Sequence, residues 1–209
     1  MYAKKLLFWN VDTQVDFMDK EGKLYVSDAE KILPLLKVLT TYAKANHIQV
    51  VNTADHHFPD AQELSDNPDF ITTFPPHCMT NSAGAEYVSE TQPEEPAIIH
   101  WNRFYSDREI QNIALVRNIV VLKDVFDVFK GNQNTQSLVD MLAPQKVFVY
   151  GVTTNVCVDC AVCGLAKQNL QVFVIEDAIK ELPNIPLPFE KWDALGVKRI
   201  QFSEIDNYL

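Results

Sequence analysis

The chain has 209 residues, 47% of them hydrophobic and 22% charged, which is enough apolar content for one compact domain spanning residues 1–209. Eighteen Lys and Arg face 28 Asp and Glu for a net charge of −10, and this argues against nucleic acid or an anionic membrane as a partner. The opening "MYAKKLLFWNVDTQVDF" carries an apolar run too short for a secretion signal or a membrane span, so a cytoplasmic protein is expected.

Six short apolar runs, at residues 6–12, 48–55, 97–101, 119–124, 146–151 and 171–178, read as strands buried on both faces, the pattern of parallel sheets. Helical patterns at 29–46, 107–115, 134–143 and 155–168 fall between them. This alternation predicts βαβ units in an α/β fold of three α/β/α layers, Rossmann-like, around a mostly parallel six-stranded sheet. Residues 54–96 break the rhythm, and a loop of that length inside a compact domain is expected to carry function. Phe74, Pro75 and Pro76 argue that it is ordered. Ligands of parallel sheets collect at the carboxyl ends of strands, where Asp12, Asp55, Lys123 and Gly151 all fall.

"GVTTNVCVDCAVCG" (151–164) holds three of the four cysteines. Thr154 or Asn155 is placed to cap a helix that begins just before Cys157. In its first turn, free N–H groups and the positive helix end favour a thiolate and can hold an oxyanion. The C-x2-C-x2-C spacing admits an iron–sulfur reading, but its spacers are helical and only Cys78 remains as a fourth ligand. One working thiol, Cys157, is preferred, with Cys160 and Cys163 as small core residues. From another class, a non-catalytic metal or redox protein built on the cysteine trio is the alternative.

The long loop contains Asp55, His56, His57, Glu63 and His77. Asp55-x-His57 puts two ligating side chains on one side of an extended chain, and His77 returns from the loop's far end. Mixed nitrogen and oxygen donors suit Zn, Fe or Mn. "HWNRFYS" (100–106) follows a strand and is a further candidate for the pocket, without an assigned role.

"VDTQVDF" (11–17), "FPPHC" (74–78), K-x2-F-D-V-F (123–129) and "GVTTNVCV" (151–158) occur in the order and approximate spacing of a known family. Through them nearly the whole chain resembles the isochorismatase-like cysteine hydrolases, especially their nicotinamidase branch. The resemblance implies a triad of Asp12, Lys123 and Cys157, in which the carboxylate accepts the thiol proton and the ammonium favours both ionised partners. Lys130, in "FKG", competes for the lysine place; Lys123 is preferred because it ends a strand and stands at the family distance from "FDVF". Also implied are a cis Val152–Thr153 peptide and an oxyanion hole of the Thr153 and Cys157 N–H groups. A divalent metal, Zn first with Fe or Mn as alternatives, is implied on Asp55, His57, Glu63 and His77, with Glu63 standing where several relatives have His. Phe17 and Phe74 are the implied walls around a flat aromatic amide.

The activity so implied is that of an amidohydrolase converting nicotinamide and water to nicotinate and ammonia through a thioester, in a homo-oligomer serving pyridine-nucleotide salvage. Another small amide or a ureido compound is the alternative substrate, because fold analogy leaves the substrate open. A vinyl-ether-cleaving isochorismatase is disfavoured, since some of those lack the cysteine present here.

Overall fold

A computed structural model describes residues 6–208. Among these residues the elements run β1 (Leu6–Val11), α1 (Val15–Met18), α2 (Leu33–Ala45), β2 (Gln49–Asp55), β3 (Ala97–Ile99), α3 (Asp107–Ile113), β4 (Asn118–Lys123), α4 (Val128–Gly131), α5 (Thr135–Leu142), β5 (Lys146–Val152), α6 (Cys157–Ala166), β6 (Gln171–Lys180), α7 (Phe189–Ala194) and β7 (Lys198–Ile200). The strands form one sheet in the order β3-β4-β2-β1-β5-β6-β7, and every registered pair is parallel. All six expected strands are present.

The sheet has seven strands rather than the expected six. The added strand, β7, is only three residues long and reads "KRI", too short and too charged for its apolar character to show in the sequence. The helix before it, α7, is similarly brief, with Trp192 as its buried anchor.

Adjacent residues of a strand point to opposite faces, and two ring contacts show what covers each face of β1. Phe8 stacks on Tyr42 of α2 with centroids 6.3 Å apart, and Trp9 stacks on Phe129 of α4 at 6.4 Å. Helix α2 binds its face through Leu36, Leu39 and Ala43, an i, i+3, i+7 stripe. Helix α6 buries Val158, Ala161, Val162 and Leu165 in the same manner.

From β1 the chain moves to β2 on one side of the sheet, whereas β5 joins β1 on the other. Such a switch point opens a crevice at the carboxyl ends of the strands. Register decides which residues meet there: Asp55 lies directly opposite Lys123, and Val11 lies between Thr53 and Gly151.

The long loop folds back on itself. Short parallel bridges join His57 to Met79 and Leu64 to Phe74, so its outgoing and returning arms are stitched side by side. Its far end is pinned to the segment after β1, where the Val15 N–H donates to Glu86 and the Val88 N–H to Thr13.

Gly151 makes the β1–β5 junction possible. Its φ is +115°, and a Cβ there would stand 2.1 Å from the Val11 carbonyl oxygen. We expect Gly151→Ala to cost about 3 kcal/mol or more through backbone strain and overpacking, read as a fall in the urea midpoint; an unchanged midpoint would show that β1 and β5 part freely.

Candidate active site

Lys123 closes β4 with its ammonium buried between two carboxylates. Its Nζ lies 3.0 Å from Asp12 Oδ2, is bonded to Asp55 Oδ1, and stands 3.9 Å from Cys157 Sγ. Burial opposes the charge on Lys123, yet Asp12 and Asp55 together hold its pKa well above the usual lysine range. Burial also raises the carboxyl of Asp55, but Lys123 and then His77 outweigh it and hold that group far below its usual range. Lys130, the competing lysine, has a side chain that is 78% exposed and paired with Asp127, so it does not reach the crevice.

Asp12 follows β1 with φ 47° and is fully buried. Its Oδ1 accepts a 2.6 Å hydrogen bond from the Thr53 hydroxyl. Burial lifts its pKa, Lys123 pulls the other way, and the balance is about 6. The titratable atoms of Asp12, Asp55 and Cys157 lie within 4.8 Å of one another.

Cys157 opens α6, as expected, but the cap differs. Val156 occupies the N-cap position with no side-chain hydrogen bond, because Asn155 is occupied with the carbonyls of Leu182 and Ile185. The expected thiolate is also outweighed: burial pushes the Cys157 thiol well above its usual range, with Lys123 opposing only in part. Burial thus favours the neutral thiol at Cys157.

Cys160 and Cys163 lie at the edge of the core rather than inside it. Both are half-buried and line an open groove with Phe129 and Lys191, because the apolar stripe of α6 leaves positions 160 and 163 on its outer flank. Among the described residues no cluster of three or more ligating groups contains two cysteines, which removes the iron–sulfur reading.

The Val152–Thr153 peptide is cis. Neither the Thr153 nor the Cys157 N–H donates to a backbone acceptor among the described residues, whereas Thr154 N–H is bonded to Lys180 and Val156 N–H to Thr153. Both residues line the cavity at the thiol, so two unengaged N–H groups are available there to a negatively charged oxygen.

Beside Asp12, Lys123 and Cys157, the ligating atoms of Asp55, His57, Glu63 and His77 lie within 4.8 Å of one another, all four residues buried. His77 Nδ1 donates to the Pro75 carbonyl at 2.8 Å, which turns Nε2 toward Asp55 Oδ2, 3.6 Å away. His57 Nε2 and Glu63 Oε1 are 3.0 Å apart, yet neither has a hydrogen-bond partner. Buried polar atoms are left orphaned only at a cost, and this mixed donor set fits a divalent cation.

Phe17 and Phe74 line one cavity with Phe126, Val156, Cys157 and Leu182. Both rings pack edge-on around His77, with centroids 5.3 and 6.3 Å away. The cavity measures about 10 Å³, room for about one water molecule, so a ring enters only if its walls shift. No residue of the 100–106 stretch lines it.

Three positioning residues escape sequence reasoning. Gln14 clasps the Asp55 backbone, accepting from its N–H at 2.8 Å and donating to its carbonyl at 2.9 Å. Asp16 accepts the Cys78 N–H at 2.7 Å, holding the return of the loop next to His77. Thr53 orients Asp12. The one sequence signal for the first two is their place in "VDTQVDF".

A metal-loaded chain dialysed against metal-free buffer should keep about one divalent ion, and His57→Ala or Glu63→Ala should weaken retention about tenfold or more. Elemental analysis of the dialysed protein reads this. Retention that survives loss of both His57 and His77 would exclude the cluster as the site.

The isochorismatase domain model matches residues 6–185. The nicotinamidase/pyrazinamidase of Mycobacterium tuberculosis (strain ATCC 25618 / H37Rv) is 31% identical over 77 residues, which is 37% of this chain; the match spans 40% of that curated relative's length. Among solved structures, the pyrazinamidase of Pyrococcus horikoshii in complex with zinc superposes with a TM-score of 0.73 at 22% identity, covering 95% of this chain and 99% of that one. An isochorismatase family protein from Desulfovibrio vulgaris subsp. vulgaris str. Hildenborough gives 0.76 at 18% identity, with 98% of each chain covered. The N-carbamoylsarcosine amidase of Thermoplasma acidophilum gives 0.69 at 20% identity, covering 94% of this chain and 96% of that one. The structural likenesses establish the fold, and the domain match over most of its length places the chain in the isochorismatase family.

Proposed function

We propose that the chain is a cysteine amidohydrolase acting on a small carboxamide, with nicotinamide first among candidates. The observation that carries this reading is the buried meeting of Asp12, Lys123 and Cys157 beside two unengaged N–H groups. The resemblance to nicotinamidases and pyrazinamidases supplies the choice of substrate.

In this reading the Cys157 thiol gives its proton to the Asp12 carboxylate as sulfur attacks the amide carbon. The oxygen takes up negative charge facing the N–H groups of Thr153 and Cys157. Asp12 returns the proton to nitrogen, ammonia leaves, and a thioester remains on Cys157. Water then attacks the thioester with Asp12 accepting its proton, which releases the acid and restores the thiol. Lys123 keeps Asp12 ionised enough to act, since burial without that ammonium would lift its pKa further.

Asp55, His57, Glu63 and His77 would hold a divalent ion, Zn by preference. Bound there, it supplies a Lewis-acidic centre able to fix a ring nitrogen. Phe17 and Phe74 would pack against the ring. Another small amide or a ureido compound would pass through the same steps, and the likeness to an N-carbamoylsarcosine amidase keeps that class as the second reading.

Ammonia release from nicotinamide should fall about a thousandfold or more in Cys157→Ala. Turnover that persists in the variant would sink the thiol mechanism; cleavage of other small amides but not nicotinamide would move the substrate alone. Asp12 must be ionised to accept a proton, so activity is lost as pH falls through its pKa of about 6. Below that point kcat/KM should drop about tenfold per pH unit, and a flat profile down to pH near 4 would remove Asp12 as the base.

A further inference from the structure

The tight cavity at Cys157 shares part of its wall with a larger space. Leu24 and Leu182 line the cavity and also a groove of about 560 Å³. Tyr25, Phe70, Ile71, Pro183 and Ile185 complete its apolar walls.

The groove's polar groups are largely engaged elsewhere. Asp69 accepts from the N–H groups of Ile71, Thr72 and Thr73 at 2.8–2.9 Å and from the Thr72 hydroxyl at 2.8 Å. The Tyr25 hydroxyl donates to Glu30 and accepts the Asp28 N–H, which leaves Asn184 as the remaining polar side chain. Asp69 thereby builds a turn that presents Phe70 and Ile71 at 51% and 70% exposure, and large apolar side chains held out in this way mark a binding surface.

The opposite wall is tied to the nucleophile's own segment. Asn155, two residues before Cys157, donates to the carbonyls of Leu182 and Ile185 at 2.9 Å each and accepts the Leu182 N–H at 3.0 Å. The groove thus adjoins the candidate active site, with Leu24 and Leu182 as the shared wall that would have to part for the two to join.

We propose that the groove is a second subsite of the active site, which takes an uncharged apolar substituent on the acyl part of the amide substrate. The proposal rests on the amidase reading above. With the carboxamide at Cys157, the far side of a ring is pressed toward Leu24 and Leu182, and a substituent there projects into the groove. An alkyl or aryl group gains by leaving water, whereas a carboxylate meets no cationic side chain in the lining to offset its desolvation.

The test compares nicotinamide, nicotinamide carrying a butyl group on the ring, and nicotinamide carrying a carboxylate on the same carbon. Turnover is measured on the native chain and on Ile71→Ser, and binding by calorimetry on Cys157→Ala with and without Ile71→Ser. The butyl compound should be preferred over the carboxylate about tenfold or more, and Ile71→Ser should remove about tenfold of its kcat/KM and affinity while leaving nicotinamide unchanged. Equal binding of the butyl compound and nicotinamide to Cys157→Ala overturns the subsite, whether or not any amide is cleaved. So does an Ile71→Ser variant that keeps its selectivity and instead changes sedimentation, since the patch would then face a second copy of the chain. Groove-dependent binding without cleavage of any amide removes the amidase reading and leaves the groove as a binding site.

Discussion

Lys123 is buried between Asp12 and Asp55, and none of the three could be kept charged in the interior without the others. The ammonium faces the thiol on one side and, through Asp55, the histidine cluster on the other. Asp12, Asp55 and Glu63 are buried carboxylates around this ammonium, with Asp16 buried close by, an excess of negative charge that a doubly charged cation at the cluster would reduce. The two candidate functions of the site, activating a thiol and holding a metal, are therefore electrostatically one arrangement.

Backbone register gives that arrangement its dimensions. Asp55 sits opposite Lys123 across β2 and β4, and adjacent strands stand about 4.8 Å apart, so an extended lysine has little choice but to meet the carboxylate. Asp12 enters from β1, next to β2, and turns with a positive φ that directs it toward Thr53. Cys157 arrives from β5 on the other flank of β1. Four neighbouring strand ends thus supply the set, which asks of the rest of the fold only that the strands stay aligned.

The residues at strand ends were legible in the sequence because buried parallel strands announce themselves as apolar runs, and the first polar residue after each run is the one delivered to the crevice. Asp12, Asp55 and Lys123 show this. What lay beyond reach follows from the same logic. Strand β7 and helix α7 are too brief for a period to appear. Gln14 and Asp16 act through hydrogen bonds to backbone groups distant in the chain, and no local pattern records those bonds. The places of Cys160 and Cys163 are legible in periodicity, since Val158, Ala161, Val162 and Leu165 define the buried stripe of α6 and leave the two cysteines beside it.

Glu63 shows how one carboxylate can link two parts of a site. Its Oε1 faces His57, and its Oε2 accepts the Phe126 N–H at 2.6 Å. Phe126 in turn packs edge-on against Phe74 with centroids 6.4 Å apart, and both line the cavity at Cys157. A carboxylate at this place joins the cluster with one oxygen and fixes the aromatic wall with the other. Movement of either would be felt by its partner through a single side chain, so the position of the aromatic wall and the geometry of the donor set are coupled by Glu63.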